Sequence, residues 1–372
     1  MDAPSPASVR QNLSVLQTAQ PEGASIMNIK VAAIDLAKRN FQLCILQEDG
    51  KIRSNRAIKR ADLLDAIRQL PENTLIAMEA CATSHHWART LLAMGYRVAL
   101  IPAQHVKAFC HRQKSDALDA VAICESIGRP KLHLVPVKSI AQQDIKSLRA
   151  VRQRLVTERT ATGNQCRGLA AEYGVIFNLQ LERLRRELPE AIELADNGLS
   201  PVARRLLQRL YDTLVALDKE IDEVESELAA LCASQESYAK LLSVPGLGPI
   251  ISAALVSEMG DGSQFAHSRD FAAWCGLVPR KHGTGGKTVL QGITKSGNRE
   301  MRTLLIHGAR AVLRFADKRD DHVGRWLRGV IARRGKHKAV VALANKLARI
   351  AWKVVHSGCA FDASKACRGQ PA

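Results

Sequence analysis

Two aspartates stand three positions apart in Lys114-Ser115-Asp116-Ala117-Leu118-Asp119-Ala120, a run that otherwise reads as helix. At that spacing both project from one helix face, where like charges destabilise unless a cation lies between them. A divalent ion fills that need, and its other ligands are expected at the ends of nearby strands. Two upstream acids fit: Asp35 closes the apolar run Val31-Ala32-Ala33-Ile34, and Glu79 closes Leu75-Ile76-Ala77-Met78. An isolated acid is most often a solvated surface group, but an acid ending an apolar strand is not the usual solvated kind. Carboxylate oxygens suit Mg²⁺, which keeps several waters and takes further ligands from phosphate. Two such ions, about 4 Å apart, activate a nucleophile and stabilise the leaving oxygen of a phosphodiester, and Mn²⁺ accepts the same donors.

A second stretch offers a hydroxyl. Arg280-Lys281-His282-Gly283-Thr284-Gly285-Gly286-Lys287-Thr288 ends like a nucleotide-binding loop, but that motif needs glycine where this chain has Lys281, so the ATPase reading fails. The better account is a flexible loop that presents Thr284 among Arg280, Lys281, His282 and Lys287, cations able to hold a phosphate and stabilise charge developing on it. His85, His86, His105, His111 and Cys110 lack zinc-ligand spacing and read as packing or phosphate-contacting residues.

Bulk composition narrows the partner. The chain has 372 residues, room for two or three domains, and a net charge of +18 that favours a polyanion, nucleic acid before membrane surface. Aromatics are only 4%, which argues against stacking platforms for single strands. Nine cysteines without a CxxC pair fit a reducing cytoplasm. No apolar run is long enough to span a membrane, and the N-terminus lacks a signal-peptide core.

The elements that must position these residues follow from periodicity. Residues 1–27 read as a disordered tail, with Met27 an alternative start. Strands are expected at Lys30–Asp35 and Phe41–Gln47, with Glu48-Asp49-Gly50 turning into a third. A helix over Ala61–Leu70, a strand at Leu75–Glu79, a helix over His85–Met94 and a strand at Arg97–Ile101 complete a ribonuclease-H-like order over 28–135. In that order Asp35 and Glu79 fall on neighbouring strands and the Asp116/Asp119 helix crosses them.

From 136 to 238 the chain reads as helical and coiled-coil. Leu207, Leu210, Leu214, Leu217, Ile221, Val224, Leu228 and Leu231 make a heptad seam. It serves either two helices within one bundle or, the favoured reading, self-association; the turn between arms is expected at Pro189–Pro201. The C-terminal region, 239–358, is mostly helical and a short tail, 359–372, follows. Val244-Pro245-Gly246-Leu247-Gly248-Pro249 is either a helix-hairpin-helix turn offering Gly246 and Gly248 backbone N–H groups to phosphate or a tight helix connection. Helices bearing Arg299, Arg302, Arg310, Arg314, Arg325, Arg328, Arg333, Arg334, Lys336 and Lys338 carry much of the excess charge and read as phosphate contacts.

Taken together these motifs resemble the DEDD-type insertion-sequence transposases, with a resolvase-like N-terminal domain and a separate C-terminal transposase domain. The matching elements are Asp35 with Lys38, Met78-Glu79-Ala80, Lys114 to Ala120, Asn164-Gln165-Cys166-Arg167-Gly168-Leu169, Pro245 to Pro249, Gly276-Leu277-Val278-Pro279-Arg280, Thr284 to Lys287, and Lys295-Ser296-Gly297-Asn298. Their order, from about Asn28 to Ser364, makes the resemblance specific where no single motif would.

The resemblance implies α/β plus all-α architecture, a Mg²⁺-binding tetrad of Asp35, Glu79, Asp116 and Asp119, and a dimer or dimer of dimers. It implies double-stranded donor and target DNA, a structured guide (bridge) RNA, and a bacterial cytoplasmic, nucleoid-associated setting. The family's nucleophile is a serine before a Gly-Gly pair; Thr284 holds that place here, a bulkier, β-branched hydroxyl, with Thr294 and Ser296 as rivals. Lys38, Lys114, Arg149, Arg152, Asn164, Arg167, Gly246, Gly248, Arg280, Lys281, Lys287, Lys295, Asn298 and Arg302 are the expected nucleic-acid contacts. Three readings remain distinct: a recombinase needing the acids and the hydroxyl, a metal-dependent structure-selective nuclease, and a non-catalytic nucleic-acid scaffold.

Overall fold

A computed structural model describes residues 28–110, 115–129, 132–284 and 287–363, apart from the side chains of Thr284 and Thr288. The expected tail at 1–27, Lys114, His111, the Gly285-Gly286 pair and the last nine residues lie outside the described residues. The chain divides into two compact units, Met1–Ser139 and Ile140–Ala372.

The first unit is mixed α/β. Strands β1 (Ile29–Asp35), β2 (Asn40–Gln47) and β3 (Ile52–Lys59) precede helix α1 (Leu63–Arg68). Strand β4 (Leu75–Glu79), helix α2 (Ser84–Ala93), strand β5 (Arg97–Ile101), and helices α3 (Ala103–Val106) and α4 (Asp116–Ser126) follow. The sheet order is β3-β2-β1-β4-β5: β1 is antiparallel to β2 and parallel to β4, and β4 is parallel to β5. Alternation sorts each strand between two cores. Ala32, Ile34, Ile76 and Met78 pack with Leu63, Ile67, Trp87 and Leu91 on the α1/α2 face. Val31, Ala33, Cys44 and Ala77 pack with Ala120, Ile123, Cys124 and Ile127 on the α4 face. A one-residue slip would exchange these sets, so burial fixes the register.

The second unit is helical apart from one hairpin. Helices α5 (Ile140–Ala171), α6 (Leu181–Glu193), α7 (Pro201–Ala233), α8 (Glu236–Leu242), α9 (Pro249–Met259) and α10 (Ser268–Trp274) lead to strands β6 (Pro279–Thr284) and β7 (Lys287–Ile293). Helices α11 (Arg299–Leu313), α12 (His322–Arg334) and α13 (Lys336–Ser357) end it. The apolar seam of α7 is covered by the chain's own helices. Leu217 and Ile221 meet Leu155 of α5, while Leu207 and Leu214 meet Cys166, Ala170, Leu184 and Leu188. Of the two readings of the seam, the packing within one chain is the one its buried residues make; the outward residues Val202, Leu206 and Val215 are exposed. The base of this pair shares a core with the C-terminal helices, where Ile145 and Leu228 join Leu255, Leu305 and Leu343. Pro189, expected to open the turn between arms, lies inside α6. Among the described residues no helix is long and apolar enough to cross a membrane.

Candidate functional site

The acids come together by register. Ile34 of β1 pairs with Met78 of β4, so Asp35 and Glu79 are the next residues of adjacent parallel strands. Each lies two positions beyond a residue of the α4-facing core, Ala33 and Ala77, and therefore on that same face. Both are half-buried. On the helix, Asp116 continues the stripe of Ala120 and Ile123 towards the N-terminus, and Asp119 lies one turn from Ile123.

The pair is not mid-helix as its sequence setting suggested: Asp116 and Asp119 occupy the first turn, beginning directly after Ser115, whose hydroxyl accepts from the Leu118 N–H at 3.3 Å. Acids in a first turn are favoured by the helix dipole, which lowers the cost of placing two there.

Two cysteines accompany the acids: Cys110, expected to pack or contact phosphate, and Cys81, which the sequence reading missed. The Cys110 thiol donates to Asp119 Oδ1 at 3.6 Å. The Cys81 thiol is pushed up by burial first, then by the charges of Glu79 and Asp35, which places all three groups within electrostatic reach. Among the described residues, no group of three or more histidine, cysteine, aspartate or glutamate side chains is disposed to hold a metal ion as it stands. The donor chemistry nevertheless fits a hard cation, since the four side chains offer carboxylate oxygen alone.

Lys38 is exposed in the turn that follows Asp35, at the same end of the sheet. Polar residues behind the acids were also missed: Gln42, paired across the strands with Asp35, donates to Asn55 Oδ1 at 2.7 Å. A glutamine only 9% exposed within Phe41-Gln42-Leu43-Cys44 was the available signal.

In the second unit, the expected flexible loop around Thr284 is a β-hairpin. Thr284 pairs with Lys287 at its tip, and Lys281 pairs with Leu290. Arg280, Lys281, His282 and Lys287 are exposed, as are Val289 and Leu290. An isolated two-stranded ribbon is marginal alone in water, so a hairpin this cationic and this uncovered suits an element that gains its partner on binding. Of the rival hydroxyls, Ser296 is exposed, whereas Thr294 Oγ1 is buried without a partner among the described residues.

The motif around them is a clasp. Lys295 N–H donates to the Gly276 carbonyl at 3.1 Å and Asn298 N–H to the Trp274 carbonyl at 3.0 Å. A Cβ on Gly276 would lie 2.1 Å from the Ser296 oxygen, and one on Gly297 2.1 Å from the Trp274 oxygen. The glycines at 276 and 297 are thus required by close backbone approach.

Several expected nucleic-acid contacts have other work. Arg149 is 4% exposed, donates to Ser257 Oγ at 2.9 Å and pairs with Glu300, so burial removes it from any nucleic-acid surface. Gly246 is likewise no open phosphate turn, since its Cβ would meet Gly308 O at 2.9 Å and Val312 Cγ2 at 2.7 Å. Arg152 pairs with Glu225 at 2.6 Å. Arg167 holds the carbonyls of Asn178 and Leu179 and donates to Asn164, itself exposed. Arg302 braces the carbonyls of Cys275 and Ser296, and Asn298 caps α11 by accepting from Met301 N–H at 2.9 Å.

Gly248 is exposed with open space around it, and Lys295 is exposed. Exposed charge lies along α11, where Arg299, Thr303, His307, Arg310 and Arg314 form one stripe, and Arg333, Arg334, Lys336 and Lys338 are exposed as well. Among the described residues the stripe's arginines make no ion pair.

The chain matches the family described as "Transposase IS116/IS110/IS902 family" over residues 238–323, and a second described as "Transposase" over residues 32–174. It is 41% identical to "Transposase for insertion sequence element IS1111A" of Coxiella burnetii, over 89% of this chain and 91% of that one. It is 42% identical to "Probable family 20 transposase" of Pseudomonas aeruginosa, over 88% and 97%. "Transposase for insertion sequence element IS1328" of Yersinia enterocolitica is 36% identical over 90% and 99%.

Proposed function

This chain belongs to the IS116/IS110/IS902 family of insertion-sequence transposases and is a DNA transposase, and we propose that it works through an acidic tetrad and a separate hydroxyl nucleophile. Asp35, Glu79, Asp116 and Asp119 hold divalent metal, Mg²⁺ with Mn²⁺ as substitute. The observation that carries this is that Asp35 and Glu79 end adjacent parallel strands on the sheet face against which the helix bearing Asp116 and Asp119 packs. The sheet order β3-β2-β1-β4-β5, with β2 alone running antiparallel to the other strands, supports a ribonuclease-H-like reading of this unit. Bound there, metal supplies Lewis-acid stabilisation of a phosphodiester and lowers the pKa of coordinated water.

Thr284 is the proposed nucleophile. Its hydroxyl gives up a proton to a base, its oxygen bonds phosphorus, and the deoxyribose oxygen opposite leaves and takes up a proton. The result is a covalent protein–DNA link whose reversal rejoins strands. Arg280, Lys281 and Lys287, all exposed on the same hairpin, stabilise the charge on the phosphoryl oxygens. Thr284 is preferred to Thr294 because the Thr294 hydroxyl is buried.

The α11 stripe carries the backbone contacts. From Arg299 to Arg314 it runs about 22 Å, the length of roughly six base pairs. Donor and target duplexes, and a guide RNA that supplies sequence choice, are the proposed partners in a bacterial cytoplasm. Self-association as a dimer or dimer of dimers is proposed to use the outward side of the long helices, where Val202, Leu206 and Val215 are exposed. A covalent adduct assay with Thr284→Ala and Asp116→Asn tests this reading: adduct dependent on both residues supports it, and metal-dependent cutting without adduct makes the protein a nuclease.

A further inference from the structure

We infer that Asn55 is a positioning residue for the acidic site, holding the first turn of α4 over the strand end that carries Asp35. This rests on the reading of the tetrad as a metal site and deepens it. Asn55 lies on β3, the edge strand of the sheet, where asparagine is a poor strand former and gains nothing by being there. Its side chain is fully used. Oδ1 accepts from Gln42 Nε2 at 2.7 Å, and Nδ2 donates to the backbone carbonyl of Ala117 at 3.0 Å.

The two ends of this relay are what give it a role. Gln42 is the cross-strand partner of Asp35, so the two side chains stand on one face about 5 Å apart at Cβ. Ala117 is one of the two residues between Asp116 and Asp119 on the chain. A continuous run of hydrogen bonds therefore links the neighbour of one acid to the backbone between two others.

The first turn of α4 needs such a tether. Residues Ser115, Asp116 and Ala117 are exposed, and apolar anchorage of the helix begins only at Ala120. Besides the Ser115 cap and the Cys110 thiol on Asp119, the Asn55 amide bonds this turn to the sheet among the described residues. The Ala117 carbonyl, an acceptor only, fixes which way that amide faces, and the Gln42 amide engages the oxygen left at its other end. With Oδ1 engaged by a donor, Nδ2 is left pointing at the carbonyl, and the flipped amide would set two donors and two acceptors against each other. Four carboxylates repel until a cation joins them. A scaffold that holds two of them at a fixed distance from a third lowers what the ion must organise, as outer partners of metal ligands do elsewhere.

The experiment is Mn²⁺ binding to the full-length protein, read from the free-ion electron paramagnetic resonance signal, with thermal midpoints measured in parallel. Asp116→Asn, Asn55→Ala, Gln42→Ala and the Asn55/Gln42 double alanine variant are compared with wild type. Asn55→Ala is expected to bind Mn²⁺ about tenfold more weakly while melting within a few degrees of wild type. Gln42→Ala is expected to add little on top of it, since the two act as one relay.

Should Asn55→Ala lose its fold, Gln42→Leu, which frees the amide without removing it, carries the same expectation of weakened binding with retained melting. Asn55→Ala binding as tightly as wild type while Asp116→Asn binds weakly overturns the inference and leaves the metal reading intact. Equal binding by wild type and Asp116→Asn overturns the metal reading, and the inference with it.

Discussion

Gly246 and Gly308 meet backbone to backbone: a Cβ on Gly308 would lie 2.1 Å from the Gly246 carbonyl oxygen, and Gly246 adopts φ +90°. The turn between α8 and α9 is thus seated on α11, and both glycines are needed for that seat. Gly308→Ala is expected to destabilise the protein by about 2–3 kcal/mol through overpacking, read from denaturant midpoints. Gly248→Ala, at the exposed start of α9 with nothing within 4 Å of its Cβ, is expected to cost less than about 1 kcal/mol.

Arginines divide between stability and binding, and two variants separate the roles. Arg149→Ala removes a buried guanidinium from Ser257 and from the exposed Glu300 and is expected to cost about 1–2 kcal/mol of stability through lost hydrogen bonding and packing. Once folded, it should show the wild-type salt dependence of DNA affinity. Arg310→Ala on the exposed α11 stripe should leave stability unchanged and reduce the slope of log affinity against log salt by about 1.

The pH dependence of α12 follows from its cap. Asp321 accepts from Gly324 N–H at 2.7 Å and pairs with Arg319, and the Arg319 side chain chiefly, then the Gly324 and Val323 amides, hold its carboxyl below the usual range against the opposing effect of burial. A carboxyl whose folded pKa is depressed contributes stability above its unfolded pKa and loses it as pH falls through the folded value. Asp321→Asn should therefore melt lower than wild type at neutral pH, with the two melting curves converging as pH drops below the carboxylate range. A gap that persists unchanged at acid pH would contradict the assignment.

Much of the first unit was legible because its strands announce themselves. The apolar run from Val31 to Ile34 and the Glu48-Asp49-Gly50 turn set the strands, and acids ending apolar runs set the site. What stayed hidden depended on partners distant in sequence. Arg149 and its partner Glu300 are 151 residues apart, so an exposed arginine and a buried one look alike in the chain. A heptad seam cannot say whether its partner helix is in the same chain; here α5 covers it. The β6–β7 hairpin escaped notice because Arg280-Lys281-His282 shows no apolar alternation, and none is needed for strands exposed as these are. Pro189 reads as a turn, yet α6 tolerates it four residues before its last residue, Glu193.

The most direct test of the account is a covalent capture. Full-length protein, guide RNA from the DNA flanking its element, and labelled target duplex are incubated with Mg²⁺ and then denatured, and label retained on protein is measured. The account predicts an adduct with wild type and none with Thr284→Ala or Asp116→Asn, each variant retaining its fold. An adduct that persists in Thr284→Ala, or cut DNA without any adduct in wild type, would contradict it.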